Sequence, residues 1–227
     1  MPESDPSEAR AWYLKQIGVV TPLPETSDHR SVTKSSSVSP GTDLDDLARE
    51  AASCTACALA EGRTQVVFGV GNPHAGLVFI GEAPGRDEDI RGEPFVGRAG
   101  KLLDKMLAAL ELTRDDVYIM NVVKCRPPGN RDPKPEEVSA CRRWFDAQLQ
   151  AISPKLICLL GRVAAQNVLE TDAPLAAMRG RWHAHHGVPV RVTYHPAYLL
   201  RSPQQKQRSW NDLRELARKY RALDGSV

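Results

Sequence analysis

Leu77-Val-Phe-Ile-Gly-Glu-Ala-Pro-Gly85 is the stretch on which the reading of the whole chain turns. Four apolar residues run into a glycine, the pattern of a short strand buried on both faces. A loop dense in glycine and proline follows and continues through Gly92-Glu-Pro-Phe-Val-Gly-Arg-Ala-Gly100. Those residues impose an irregular backbone. Five carboxylates, Glu82, Asp87, Glu88, Asp89 and Glu93, crowd into it. Charge runs are usually solvated faces. Glycines this dense, straight after a buried strand, point instead to a backbone shaped around a ligand.

Downstream, strand and helix alternate. The spacing predicts a helix over 99–110, a strand over 117–123, a proline-rich loop over 126–135 and a helix over 136–151. It then predicts a strand over 156–160, a helix over 162–169, a strand over 190–194 and a last helix over about 203–222. The alternation gives an α/β class with a four-stranded parallel sheet, covered by helices on both faces. In such sheets ligands sit beyond the carboxyl ends of the strands. The loops after Ile80, Val123 and Tyr194 lie there. Upstream, residues 7–18 read as a short amphipathic helix and 19–42, rich in Ser, Thr and Pro, as a flexible linker. Thr42 can cap a helix over 43–52. The division is therefore an N-terminal extension, 1–43, and one domain, 44–227.

Composition is ordinary for a globular protein, 41% apolar and 26% charged. No apolar run is long enough to span a bilayer, and the polar start lacks the pattern of a secretory signal, so a cytoplasmic protein without membrane attachment is expected. Net charge is +2. Residues 1–53 hold nine acids and five Lys/Arg, a balance of −4, which leaves +6 for the rest. That permits phosphate contacts without proving them.

The five cysteines are an odd number in a chain expected to be cytoplasmic, which argues for metal or catalysis over disulfides. Cys54-x-x-Cys57 is a chelating pair, and Cys125 and Cys141 come later. Four thiolates suit structural zinc or an iron–sulfur cluster. Cys158 sits inside an apolar strand and reads as core.

Asn121 interrupts an apolar strand, where an amide must be satisfied by backbone or offered to a ligand edge. Phe95 is either a core plug or a stacking platform. His195, at a strand end and followed by Pro196, is well placed for chemistry. His183, His185 and His186 read as surface. Lys124, Arg126 and Arg131 are phosphate-binding candidates, as are Arg201, Lys206 and Arg208 further on.

With the four cysteines, the segments Gly81-Glu-Ala-Pro-Gly85, Gly92-Glu-Pro-Phe-Val-Gly97, Asn121-Val-Val-Lys-Cys-Arg-Pro-Pro128 and His195-Pro-Ala197 resemble the family 4 uracil-DNA glycosylases, the iron–sulfur type, in their bacterial form. The resemblance covers about residues 44–222. It implies a three-layer αβα sandwich and a mainly structural 4Fe–4S cluster on Cys54, Cys57, Cys125 and Cys141. It also implies a monofunctional glycosylase of base excision repair. Such an enzyme flips uracil from single- or double-stranded DNA and hydrolyses its N-glycosidic bond to leave an abasic site. Phe95 would stack on the base, Asn121 would read its Watson–Crick edge and His195 would stabilise charge at O2. Backbone at Gly81, Glu82 and Ala83 would line the pocket. Glu82 and Glu88 are both candidates for the acid that handles water. The aspartate that other branches carry one residue after Glu82 is Ala83 here. Lys124, Arg126, Arg131 and Arg201 would meet DNA phosphates. A monomer is expected.

Three other readings stand beside this one. A covalently trapping uracil-DNA binder would carry a basic insert ending in histidine after the Asn121 strand, which is absent. A replication- or repair-partner module would use Trp12, Tyr13 and Leu14 as a docking face, although packing on the protein's own body explains them equally. A zinc-bound nucleotide hydrolase would be colourless.

Overall fold

The computed structural model describes residues 6–16, 18 and 44–224; the expected linker over 19–42 and the Thr42 cap lie outside them. The helices are α1 (Pro6–Gln16), α2 (Leu44–Ala52), α3 (Leu59–Gly62), α4 (Arg86–Arg91), α5 (Arg98–Ala109), α6 (Pro135–Ile152), α7 (Arg162–Leu169), α8 (Leu175–Met178), α9 (Pro196–Arg201) and α10 (Lys206–Asp224). The strands are β1 (Val70–Gly71), β2 (Leu77–Gly81), β3 (Tyr118–Asn121), β4 (Leu156–Leu160), β5 (Trp182–His185) and β6 (Val188–Thr193).

They form one sheet in the order β1-β3-β2-β4-β6-β5. The four central strands are parallel, as the sequence pattern requires. The count of four is corrected to six, because β1 and β5 add antiparallel edges. β1 is two residues long and β5 is the histidine-bearing Trp-His-Ala-His segment, so neither carries an apolar strand signature. That segment also corrects the surface reading of the histidines. His185 is buried, its ring 6.4 Å from that of Phe145, while His186 stays exposed.

Alternation along the strands sorts the core into two layers. Val78, Ile80, Tyr118, Met120, Ile157, Leu159, Val190 and Val192 face α2, α3, α6 and α7. Leu77, Phe79, Ile119, Leu156, Cys158 and Leu160 face α1, α5, α9 and α10. The result is the expected αβα sandwich. Cys158 is fully buried, as core. α5 turns Leu102, Leu103, Met106 and Leu107 inward at the spacing of one helical face. α6 opens on Pro135 and on Glu137, whose carboxylate accepts the Lys134 N–H at 2.7 Å.

α1 belongs to the body. Tyr13 and Leu14 are buried, and the Tyr13 ring meets Trp210 of α10 edge-on at 5.9 Å. Trp12 alone of the three residues Trp12, Tyr13 and Leu14 faces solvent, beneath the Lys105 ammonium at 3.6 Å. The polar partners of β6 are spent internally as well. Asp212 of α10 is buried between Arg179 at 2.6 Å and Arg191 at 3.4 Å, and it accepts the Thr193 hydroxyl at 3.0 Å. No helix among the described residues is long and apolar enough to cross a membrane.

Candidate active site

β2 and β3 run side by side and end together, Gly81 opposite Asn121. The carbonyls of Gly81 and Glu82 accept the N–H groups of Val122 and Val123, at 3.0 and 3.2 Å, so the two loops leave the sheet as one unit. β3 and β4 flank β2 on opposite sides, the point at which parallel sheets open a crevice. A cleft of about 430 Å³ lies there, within the usual size of a small-ligand site. Glu82, Ala83, Glu88, Phe95, Asn121, Arg131, His195 and Arg201 all line it. Three loops distant in sequence thus meet at one cavity.

Asn121 is buried at the floor, and its Oδ1 makes no hydrogen bond among the described residues. A buried acceptor left unmet costs about 1–3 kcal/mol, which a ligand N–H would recover. Gly81 does not line the cleft; it backs it. A Cβ at Gly81 would come within 2.4 Å of Asn121 Oδ1 and 2.6 Å of the Phe95 ring, so only glycine leaves those two groups room. Phe95 is buried and held at φ 57°, a left-handed backbone that bulky residues avoid. Arg114 fixes it there. Its guanidinium donates to the Phe95 carbonyl, to the Pro94 carbonyl at 3.1 Å and to Glu93 at 3.1 Å, and it pairs with Asp104 at 2.8 Å. The Phe95 ring lies 5.5 Å from that of His195, forming one wall.

His195 caps α9, with Nδ1 accepting the Ala197 N–H at 3.1 Å. Burial, with the Arg201 charge adding to it, pushes its pKa down to about 4. The ring is therefore neutral near pH 7. Because Nδ1 accepts, the proton sits on Nε2, which is a donor.

The two acids differ. Glu88 Oε1 accepts the N–H groups of Val96 and Gly97, each at 3.0 Å, and so holds the turn into α5. Glu82 is half-buried and its pKa is pushed up to about 7, first by burial and then by the neighbouring Asp132, against the pull of Arg162. Asp132 itself pairs with Arg162 at 2.7 Å. Sequence reasoning passed over Asp132, Arg162 and Arg114, because single charged residues in loops or at the ends of elements carry no pattern until tertiary structure pairs them.

The basic candidates divide. Arg201 is exposed on the rim and Arg126 is half-buried, bonded to Asn130 at 2.7 Å. Arg131 reaches the cleft but spends its guanidinium on Glu137 at 2.5 and 2.8 Å. Lys124 is a correction. It is 1% exposed and donates to the Asn121 carbonyl at 2.8 Å, so it faces inward, away from any phosphate. A lysine beside a polar loop reads as surface, but the chain turns inward after β3.

Cys54, Cys57, Cys125 and Cys141 line a second cavity with Arg63, Lys124 and Trp144. Among the described residues, no three His, Cys, Asp or Glu converge on a point that would hold a single ion. Arg63 donates to Cys125 Sγ at 3.3 Å, and the Lys124 N–H to Cys141 Sγ at 3.3 Å. Trp144 Nε1 is buried there with no nitrogen or oxygen acceptor among the described residues, and, against the upward push of burial, its pull and that of Arg143 help lower the Cys54 pKa. Four soft donors around a cavity, with N–H groups aimed at sulfur, fit a polynuclear iron–sulfur group better than one tetrahedral ion.

Comparison with known proteins identifies the family of the chain. The family model described as "Uracil DNA glycosylase superfamily" matches residues 68–214. A type-4 uracil-DNA glycosylase of Archaeoglobus fulgidus is 49% identical over 183 residues, covering 76% of this chain and 91% of that protein. The type-4 enzyme of Sulfurisphaera tokodaii is 42% identical, covering 77% and 84%, and that of Thermotoga maritima is 46% identical, covering 68% and 82%. With the matched region running from just before β1 into α10 and taking in every loop of the cleft, the chain belongs to the uracil-DNA glycosylase superfamily and, within it, to the type-4 family.

Proposed function

We propose that this protein excises uracil from DNA by hydrolysing the N-glycosidic bond, as a monofunctional repair glycosylase. The observation that carries the reading is the unpartnered Asn121 Oδ1 beside Phe95 and opposite His195 in one cleft. Uracil presents an N3–H donor that this acceptor fits, whereas cytosine presents a bare N3 there and would leave both acceptors unmet. Stacked on Phe95, the base places O2 within reach of the wall that His195 forms. The neutral Nε2–H donates to the oxygen on which charge accumulates as the bond breaks. Glu82, free of the structural bonds that occupy Glu88, takes a proton from the attacking water. Arg126 and Arg201 hold phosphates beside the flipped nucleotide. The base must leave the stack to reach a cleft this deep, which favours single strands or weak pairs but admits duplex DNA.

Cys54, Cys57, Cys125 and Cys141 would hold a 4Fe–4S cluster, which when bound supplies structural cross-linking and no step of the hydrolysis. The protein acts as a monomer in the cytoplasm. Iron and sulfide assay with visible absorbance tests the cluster.

The deciding experiment incubates the protein with a labelled oligonucleotide holding one uracil, then alkali. Cleavage at uracil and at neither thymine nor cytosine is expected. No cleavage by protein that carries its cluster overturns the reading, and a band shift that survives denaturation replaces it with covalent trapping.

A further inference from the structure

One face of α5 carries Arg98, Lys101 and Lys105, spaced three and four residues apart. The row starts at the cleft mouth, which Ala99 lines, and Lys105 lies about 9 Å further along the helix axis. Asp104, the acid beside this row, is taken by Arg114 at 2.8 Å. A second basic row leaves the cleft through α9 and α10, from Arg201 on the rim to Lys206. The two rows meet at Trp12 of α1. Its indole is 39% exposed and carries two ammonium groups, Lys105 Nζ at 3.6 Å and Lys206 Nζ at 5.0 Å from the ring centroid. Neither lysine makes an ion pair among the described residues. Burial, with the Lys105 charge adding to it, holds Lys206 below the usual lysine range. Two like charges thus share one ring with no acid between them. An aromatic face attracts cations but cannot neutralise them, whereas an anion does both.

We propose that Trp12, Lys105 and Lys206 form a subsite for the unpaired DNA strand beside the excised nucleotide, the lysines holding a phosphate and the indole stacking on a base. This rests on the uracil-excision reading above for the identity of the polymer. A basic track that ends on an exposed aromatic ring is the arrangement by which single strands are held without regard to sequence. Continuity with the cleft favours DNA over any other occupant, because both rows start among residues that line it. A strand that delivers its base to the cleft leaves neighbouring bases short of a stacking partner, and the indole supplies one. Tyr13 and Leu14 anchor α1 in the core, so the exposed ring beside them is left for binding. α1 lies outside residues 68–214, so the subsite does not follow from the family match.

The test is fluorescence anisotropy of a labelled, thymine-only single strand with the holoprotein, between about 50 and 200 mM salt, for wild type, W12L, W12F and K105Q. W12L removes the ring but keeps an apolar side chain, and should weaken binding about tenfold. W12F keeps a stacking face and should lose less. K105Q should lower the slope of log affinity against log salt by about 0.7, the share of one phosphate contact on a single strand. It alters no buried side chain, so it decides the matter even where W12L loosens α1. Wild-type affinity in W12L or a wild-type slope in K105Q overturns the proposal, and equal losses in W12F and W12L replace stacking with packing of α1. In excision at limiting enzyme, lengthening the strand on one side of uracil by a few nucleotides should raise the wild-type rate, and raise that of W12L less. No gain on either side also overturns the subsite. Wild type that binds the thymine strand yet excises no uracil overturns the uracil reading instead, while the anisotropy still decides the subsite.

Discussion

At the scale of single residues, the cleft works by leaving groups incomplete. Asn121 has an acceptor that nothing among the described residues meets, and His195 keeps its only proton on the nitrogen that is free to donate. Each should count chiefly when the base is present. Asn121→Ala and His195→Ala are each expected to lower the excision rate about 10²–10³-fold, by analogy with loss of one oxyanion donor, while iron content and visible absorbance stay at wild-type values. Near-normal rates in both would remove these residues from the site. The half-buried imidazole also leaves a thermodynamic trace. A free histidine protonates near 6.5 and His195 at about 4, so between these values the unfolded chain binds a proton that the folded one refuses. The contribution of His195 to stability is full above about pH 6.5 and is lost as pH falls through 4, on the order of 3 kcal/mol. Denaturant titrations at pH 7 and pH 4.5 should show a smaller acid loss in His195→Ala than in wild type.

At the scale of elements, the Phe95 loop is held by its neighbours more than by its own sequence. Arg114 grips its carbonyls from one side, and the first turn of α5 closes on it from the other. A Cβ at Gly100 would fall 1.6 Å from the Phe95 carbonyl oxygen. Gly100→Ala must therefore push the loop or the helix aside, at a cost of about 1–3 kcal/mol in unfolding free energy and with weaker uracil selectivity. A thermal melt and a uracil-against-cytosine rate ratio check both effects. What was legible in the sequence follows the same physics. β4 and α7 match their expected bounds to the residue, because an apolar run ending in Gly161 admits one reading. α4 and α9 were not foreseen. Arg-Asp-Glu-Asp-Ile-Arg looks like solvated loop, and six residues after His195 are too few for periodicity to register. Phe95, Asn121 and His195 stood out because each breaks the pattern around it. Asp132 and Arg114 break none, and Lys124 was read by its sequence neighbours when the turn after β3 had carried it inside.

At the scale of the molecule, the cysteine cavity joins parts that the sheet does not. Cys54 and Cys57 follow α2, Cys125 follows β3 and Cys141 lies on α6. Lys124 then links the same corner to the Asn121 carbonyl. A ligand bridging the four sulfurs closes loops of many residues at once, which is where a cross-link constrains an unfolded chain most. Cys125→Ala should accordingly lose brown colour and soluble yield together, measured as visible absorbance per mole and as recovery after expression. If colourless protein is recovered at full yield with full activity, the cavity is not a structural staple. The opposite face closes differently, through Tyr13 of the first helix against Trp210 of the last. On the ribosome, α1 emerges before α2 and its partner α10 emerges after β6, with the whole sheet between them. Until then the indole of Trp210 is missing from the seat of Tyr13, and the apolar side chains of Tyr13 and Leu14 wait unfinished while every strand is made. The two ends of the described fold are thus joined last, and a chain cut before α10 would leave Tyr13 without its Trp210 partner.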